Sequence, residues 1–351
     1  MSLLKNITPE QLKVVMAEKQ NEELIVAIDC GKGYVKICFE VTKEDGKKKI
    51  EKIFIESRVT FGESETSETV YINGAPHAFK DGERVVEAEE KTKFSLEHKV
   101  LMRYALYEVL KRTGISKYKV VFGCSLDTYR NKIKVGLLRE FMLDMIDIDG
   151  NRLKEDPKTN INMKVGKFDV NFEILDLVVQ PETLTSIFSS NVKFAEENAF
   201  LIDIGTLNSQ IIPIELGRPL IQETRVDDLG YDNIIKAITQ TFNDLDTKSG
   251  WYNFGTVKSY IEGGKKDELF DEGIKEYFVK YCTRLKKTLK ELKCNKFSKI
   301  IFTGGSSNRF EGYIRANFID NVNYLEDNVS FVKEPFYANV VGMYIKGSKM
   351  L

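Results

Sequence analysis

The sequence predicts an α/β protein built on an internal duplication, with two domains that each open on a three-strand meander. Three observations carry this prediction. An apolar run at 24–28 ends in Asp29-Cys30-Gly31-Lys32-Gly33 and is followed by further strands. The same plan returns at 199–205, where Ala-Phe-Leu-Ile-Asp-Ile-Gly is followed by strands at 209–216 and 218–226. A third buried run, within 299–307, closes on the paired glycines Gly304 and Gly305. Two three-strand meanders, each opened by strand-Asp-x-Gly, indicate an internal duplication, and repeats of this kind decide a fold.

Bulk properties agree. At roughly 150 residues per domain, 351 residues make about two domains. A chain 42% hydrophobic and 30% charged, with 7 prolines, is globular rather than disordered or collagen-like. A net charge of -1 lacks the basic footprint of a domain that neutralises nucleic-acid phosphates, so work on DNA would pass through an adaptor. The 5 cysteines (Cys30, Cys38, Cys124, Cys282 and Cys294) are scattered and include no CxxC pair, which points to a reducing, cytoplasmic setting. The opening residues lack the apolar core of a signal peptide. No apolar run reaches the ~18 residues of a membrane helix, so no membrane partner is expected. With only His77 and His98, zinc-hydrolase and serine-triad chemistry are disfavoured.

Taken in order, the first ~20 residues read as a helix capped by Thr8 with Pro9 in its first turn, docked on the body. Strands follow at 24–28, at 35–41 with alternating apolar residues, and at 49–59. The charged stretch 61–93 reads as an inserted small subdomain. A helix at 96–112, a strand at 119–126, a hairpin turning at Gly166-Lys167 and a helix at 183–197 complete the first half. In the second half, Asp228 or Asp232 starts a helix after the meander. A long amphipathic helix spans about 269–293, and its lysines match the helix dipole. A strand at 299–307, a helix near 308–319 and a final segment at 334–345 close the chain.

The chemistry concentrates in the glycine turns. Glycines let backbone amides approach a phosphate, and successive amides form an anion nest. A carboxylate at the lip suits Mg²⁺, which usually keeps several waters. Lys36, three residues beyond Gly33, lies opposite the apolar face and reaches toward phosphate. One such turn alone is an ordinary hairpin more often than a site. Two of them, plus Gly304-Gly305-Ser306 opening a helix, form a set that suits a nucleotide. Glu182, after Pro181, has a plain reading as first-turn helix charge. Trp251, Tyr252 and Phe254 read as core before interface.

In order, these turns and two connecting helices, 178–190 and 335–345, resemble the actin, heat-shock chaperone and sugar-kinase superfamily. The pattern Val178-Val179-Gln180-Pro181-Glu182-Thr183-Leu184 resembles the ParM family of actin-like plasmid-segregation proteins. The resemblance implies an actin-like α/β fold of two duplicated domains, each with a mixed five-stranded sheet flanked by helices, and a nucleotide cleft between them: 1–190 plus 330–351, with an insert near 43–95, and 191–329, with a subdomain near 241–283. It implies ATP or GTP with Mg²⁺ and hydrolysis coupled to a homopolymer filament. An adaptor bound to a plasmid centromere would complete the system, with no direct nucleic-acid contact. Asp29 and Asp203 would serve the metal. Glu182, with Gln180 as runner-up, would orient the attacking water. Gly31, Lys32, Gly33 and Lys36 would line the first phosphate turn. Gly205, Thr206 and Asn208 would line the second. Gly230, Lys258, Gly304, Gly305 and Ser306 would lie on the nucleoside side. Lys32 stands where a small residue is usual, and Thr206 and Leu207 stand where a second glycine is common. The other reading of the same core is a small-molecule kinase or phosphatase, although no acceptor motif accompanies it.

Overall fold

The computed structural model describes residues 8–43, 45–63, 69–84, 93–166, 168–189, 198–245, 252–263, 268–320 and 322–351. It divides into two compact units, Met1–Ser189 with Asn339–Leu351, and Ser190–Ala338.

The first unit is organised by one sheet. Its strands in chain order are β1 (Glu23–Cys30), β2 (Tyr34–Thr42), β3 (Lys48–Glu56), β4 (Arg58–Phe61), β5 (Thr69–Ile72), β6 (Ala75–Arg84), β7 (Lys117–Cys124), β8 (Thr159–Val165) and β9 (Phe168–Pro181). They lie in the order β3-β2-β1-β7-β9-β8-β5-β6-β4. The resemblance implies five strands; the sheet has nine. The extra four arise because β9 is 14 residues long and continues past β7 to pair with β8, which in turn takes β5. The described strands of the 43–95 stretch therefore extend the main sheet. The part of the expected insert at 85–92 lies outside the described residues.

Only β1–β7 and β7–β9 pair in parallel. Their carboxyl ends, Cys30, Cys124 and Pro181, thus share one edge of the sheet. Apolar side chains on both faces bury these strands, as parallel strands require. Helix Leu96–Thr113 packs on the sheet, capped by Ser95 and ended by Gly114 in the left-handed region (φ 70). Helix Pro9–Glu18 carries a Thr8–Gln11 capping box, buries Leu12, and is tied down by Lys19 Nζ donating to Thr113 O (2.8 Å).

The second unit repeats the plan on a smaller scale. Its strands are β10 (Ala199–Ile204), β11 (Ser209–Glu215), β12 (Arg218–Pro219), β13 (Arg225–Asp227), β14 (Lys299–Thr303) and β15 (Val329–Phe331). The order is β12-β11-β10-β14-β15, with β13 also paired to β11, so this sheet has six strands rather than five. The single strand expected over 218–226 is split in two. Pro219 lacks an N–H for a continued ladder, and a 3-10 turn at Ile221–Glu223 intervenes. Again only the β10–β14 and β14–β15 pairs are parallel, and their carboxyl ends share an edge. Helices Tyr231–Leu245, Phe254–Ile261, Glu268–Glu291 and Ser307–Phe318 surround a core that includes Phe242, Phe278, Phe302 and Phe310. Tyr252 and Phe254 pack against this core, in line with the core reading; Trp251 lies outside the described residues. The helix expected over 183–197 shrinks to Glu182–Thr185 followed by a 3-10 turn at Ser186–Ser189; 190–197 lie outside the described residues. Among the described residues, no helix is long and apolar enough to cross a membrane.

Candidate functional site

Each unit presents an Asp-x-Gly turn at the carboxyl edge of its parallel strands, the place where ligands bind in open α/β sheets. In the first unit Asp29, the penultimate residue of β1, is 1% exposed. Gly31 N donates to Tyr34 O (3.1 Å), closing the turn into β2. Ser57 braces it: Ser57 N donates to Gly33 O (3.2 Å) and Ser57 Oγ to Gly31 O (2.5 Å). Because β1 and β2 place Asp29 opposite Lys36, Lys36 Nζ donates to Asp29 Oδ2 (3.3 Å).

Two residues join from other strand ends. Glu182 follows β9 directly at Pro181 and begins the short helix. Lys93, two residues before the Ser95 cap, turns inward; its Nζ donates to Asp29 Oδ1 (3.1 Å) and forms an ion pair with Glu182 Oε1. Burial would raise the Asp29 carboxyl, but Lys36 and Lys93 outweigh it and hold the group down at about 2. Glu182 goes the other way: burial first, then the Asp29 charge, push it up to about 7 against Lys93 and Lys36. Burial lowers the Lys32 ammonium, which sits partly covered on the same turn. Burial also lowers His98 to about 3, aided by the charges of Lys93 and Lys32, so its ring is neutral beside Ser95 Oγ (2.8 Å).

Gln180 is placed elsewhere. Its amide donates to the Met350 sulfur (3.1 Å), and it is fully buried. The two side chains part because β9 ends at Pro181 and Glu182 starts a helix. Helix Ala338–Gly347 crosses next to Glu182 at close range, since a Cβ at Gly342 would overlap Thr185 O.

In the second unit the turn has the same backbone. Gly205 N donates to Asn208 O (3.0 Å), as Gly31 N does to Tyr34 O. The start of helix Tyr231–Leu245 caps it: Tyr231 N donates to Gly205 O (2.9 Å) and Asp232 N to Thr206 O (2.8 Å). Asn233 Nδ2 adds a bond to Leu207 O (2.8 Å). Gly230 lies so close to the Leu207–Asn208 peptide that a Cβ there would overlap it. Gly304 has φ 90, and a Cβ on it would overlap the Asp203 carboxylate. Ser306 N reaches Ile204 O (3.4 Å), and Gly305 faces the Phe336 ring. Asp203, Gly205, Thr206, Asn208, Gly230, Gly304, Gly305 and Ser306 therefore converge on one strand-end region. Lys258 does not reach these turns by any described contact; its ammonium lies 6.0 Å from the Phe254 ring centroid on the same helix.

Two features escaped the sequence reading. Lys93 sits in a charged stretch where nothing in the local pattern distinguishes it. Arg309, inside the Phe-Thr-Gly-Gly-Ser-Ser-Asn-Arg motif, pairs with Glu262 (2.9 Å) and donates to Tyr231 OH (3.3 Å), which in turn donates to Glu262 (3.0 Å). This trio ties together the starts of helices Tyr231–Leu245 and Ser307–Phe318 and the end of helix Phe254–Ile261.

Among the described residues, no group of three or more His, Cys, Asp or Glu side chains could hold a metal by itself. Mg²⁺ commonly takes one or two carboxylates plus substrate phosphates and waters. Asp29 and Asp203, each beside a glycine turn of its own unit, are single hard-oxygen donors of that kind.

No protein-family profile matches the chain, and no curated protein matches it. Solved structures do. The apo pSK41 ParM protein aligns with a TM-score of 0.66 at 15% identity, covering 93% of this chain and 98% of that one. The Alp12 filament structure aligns at 0.64 and 19%, covering 94% and 99%. The archaeal actin homologue Ta0583, in complex with ADP, aligns at 0.64 and 15%, covering 93% and 99%. The chain therefore has the actin-like fold. Its likeness to these ParM-type structures covers 93–94% of the chain.

Proposed function

We propose that this chain is a nucleotide-driven actin-like filament protein that segregates plasmid DNA in the cytoplasm through an adaptor bound to a plasmid centromere. The observation that carries the proposal is the Asp29–Lys36–Lys93–Glu182 cluster on an Asp-x-Gly turn, within an actin-like fold. That Alp12 forms a filament and that Ta0583 was solved with ADP supports the reading.

The turn residues Gly31, Lys32, Gly33 and Lys36 would hold phosphate of ATP or GTP, with Gly205, Thr206 and Asn208 serving the second turn. Gly230, Gly304, Gly305 and Ser306 would receive the nucleoside. Asp29 and Asp203 would hold Mg²⁺, through water or directly. The bound ion would supply charge neutralisation on the phosphoryl oxygens. Glu182 orients the attacking water and accepts its proton, and a carboxyl titrating near the working pH is suited to that task. Filament growth requires a head-to-tail contact that does not close.

The test mixes the protein with Mg-ATP or Mg-GTP and follows light scattering and phosphate release. Nucleotide-dependent scattering is expected in the wild type. Glu182→Ala should still assemble while releasing phosphate roughly 100-fold more slowly, the low end of what a positioned base contributes. Absence of any scattering rise over a wide concentration range sinks the filament; unchanged release removes Glu182 from its role. Phosphate appearing on a metabolite instead would favour a kinase on the same core.

A further inference from the structure

The two acids of the first unit's site are joined by a lysine rather than separated by one. Lys93 Nζ touches Asp29 Oδ1 at 3.1 Å and also meets Glu182 Oε1, while Asp29 Oδ2 is held by Lys36 at 3.3 Å. Lys93 is 9% exposed and Asp29 1%. Two carboxylates brought this close in a buried place repel each other unless a cation lies between them. A divalent ion is the usual solution in a phosphate site. Here the chain supplies its own. Lys93 comes from the loop before helix Leu96–Thr113, whose Ser95 cap fixes where that loop ends, with Ser95 Oγ accepting from His98 N (3.3 Å).

We propose that Lys93 is an internal stand-in for a divalent cation: it holds Asp29 and Glu182 together when no nucleotide or metal is bound, and so presets the Glu182 carboxylate. Lys93 is thus a positioning residue acting through Glu182. The proposal rests on the nucleotide-site reading above for its biological sense, but its physical content concerns the nucleotide-free chain. It makes the empty site indifferent to divalent ions, because the bridging position is already filled by an ammonium. Removing that ammonium leaves two buried acids with one remaining cation, Lys36, and opens a place for Mg²⁺ or Mn²⁺ between hard oxygen donors.

The experiment is a melting series on the nucleotide-free full chain, with and without millimolar MnCl₂ or MgCl₂. Wild type and Lys93→Arg should shift by less than about 1 °C on adding the ion, since by mass action a ligand stabilises only where it binds the folded state. Lys93→Met should melt roughly 5–10 °C lower without the ion, as breaking a buried charged pair does, and recover at least half of that loss with Mn²⁺. The double variant Lys93→Met/Glu182→Gln should lose most of the Mn²⁺ response. A Lys93→Met chain indifferent to Mn²⁺, or a wild type that responds as strongly, overturns the proposal. If Lys93→Met does not accumulate folded, its refolding yield with and without Mn²⁺ decides: rescue supports the bridge and no rescue overturns it. Nucleotide binding is measured in parallel. A wild type that binds no nucleotide, together with a Lys93→Met variant that gains the Mn²⁺ response, would remove the nucleotide reading and leave this one standing.

Discussion

The Asp29 turn and the Asp203 turn share a backbone and differ in what holds them. In each, a glycine amide closes onto a carbonyl three residues later, at 3.1 Å for Gly31 and 3.0 Å for Gly205. Around Asp29 the grip is largely electrostatic: two ammoniums and a second carboxyl that are mostly shielded from water, beside the Ser57 bonds to the turn carbonyls. Around the second turn it is steric and backbone-mediated, with Gly230 and Gly304 pressed against neighbouring peptide groups and helix amides capping the turn carbonyls. A duplicated motif has thus kept its geometry while changing its means of support. The first turn should fail when charges change, and the second when a methyl group is added.

The largest effect is expected from Gly304→Ala. It combines a left-handed φ of 90 with overlap on the Asp203 carboxylate and the Ile204 backbone. A loss of about 3 kcal/mol or more in denaturant unfolding is expected, and a loss below about 1 kcal/mol would show that the second turn is not sterically fixed. Asp29→Asn comes next, at about 2 kcal/mol, because it removes the anion that both Lys36 and Lys93 contact. The same substitution leaving stability unchanged would break the electrostatic half of the comparison. Gly31→Ala and Gly205→Ala sharpen it from the other side. Each added Cβ meets a carbonyl oxygen at 3.0 Å, Tyr34 O in one case and Asn208 O in the other. Both should cost about 1 kcal/mol, and a difference above about 0.5 kcal/mol would mean the turns are not equivalent. The smallest effect is Arg309→Met, about 0.5 kcal/mol, because its pair with Glu262 is partly exposed and screened by solvent. Raised salt should erase that difference, and its persistence would assign the loss to packing on the Tyr231 ring instead.

Much of this was legible in the sequence because it was local. Strand-Asp-x-Gly, the Thr8 cap with Pro9, the Gly166 hairpin and the long helix ending at Glu291 are each written in a few adjacent residues. The strand counts were not, since whether β5 joins the main sheet through β8 depends on pairing between segments about 90 residues apart. The third strand of the second meander misled because β-branched and apolar residues at 220–226 outweighed the ladder bond that Pro219 cannot donate. Lys93 was invisible for a similar reason. A lysine among glutamates and lysines reads as a solvated face, and only the convergence of β1, β9 and the loop before Leu96 makes it a buried cation. Gln180 was too close to Glu182 in sequence for pattern alone to separate them; the end of β9 between them does so.

The contact of Gly342 with Thr185 has a consequence for how the chain is made. Helix Ala338–Gly347 belongs with the first unit, yet every residue of Ser190–Ala338 is synthesised before it is finished. During translation the segment carrying Glu182 must wait, with the backbone against which Gly342 will sit still bare, until the second unit has left the ribosome. The second unit is free to fold first from a continuous stretch. The first unit, whose two segments flank the second in the chain, would be completed only after it.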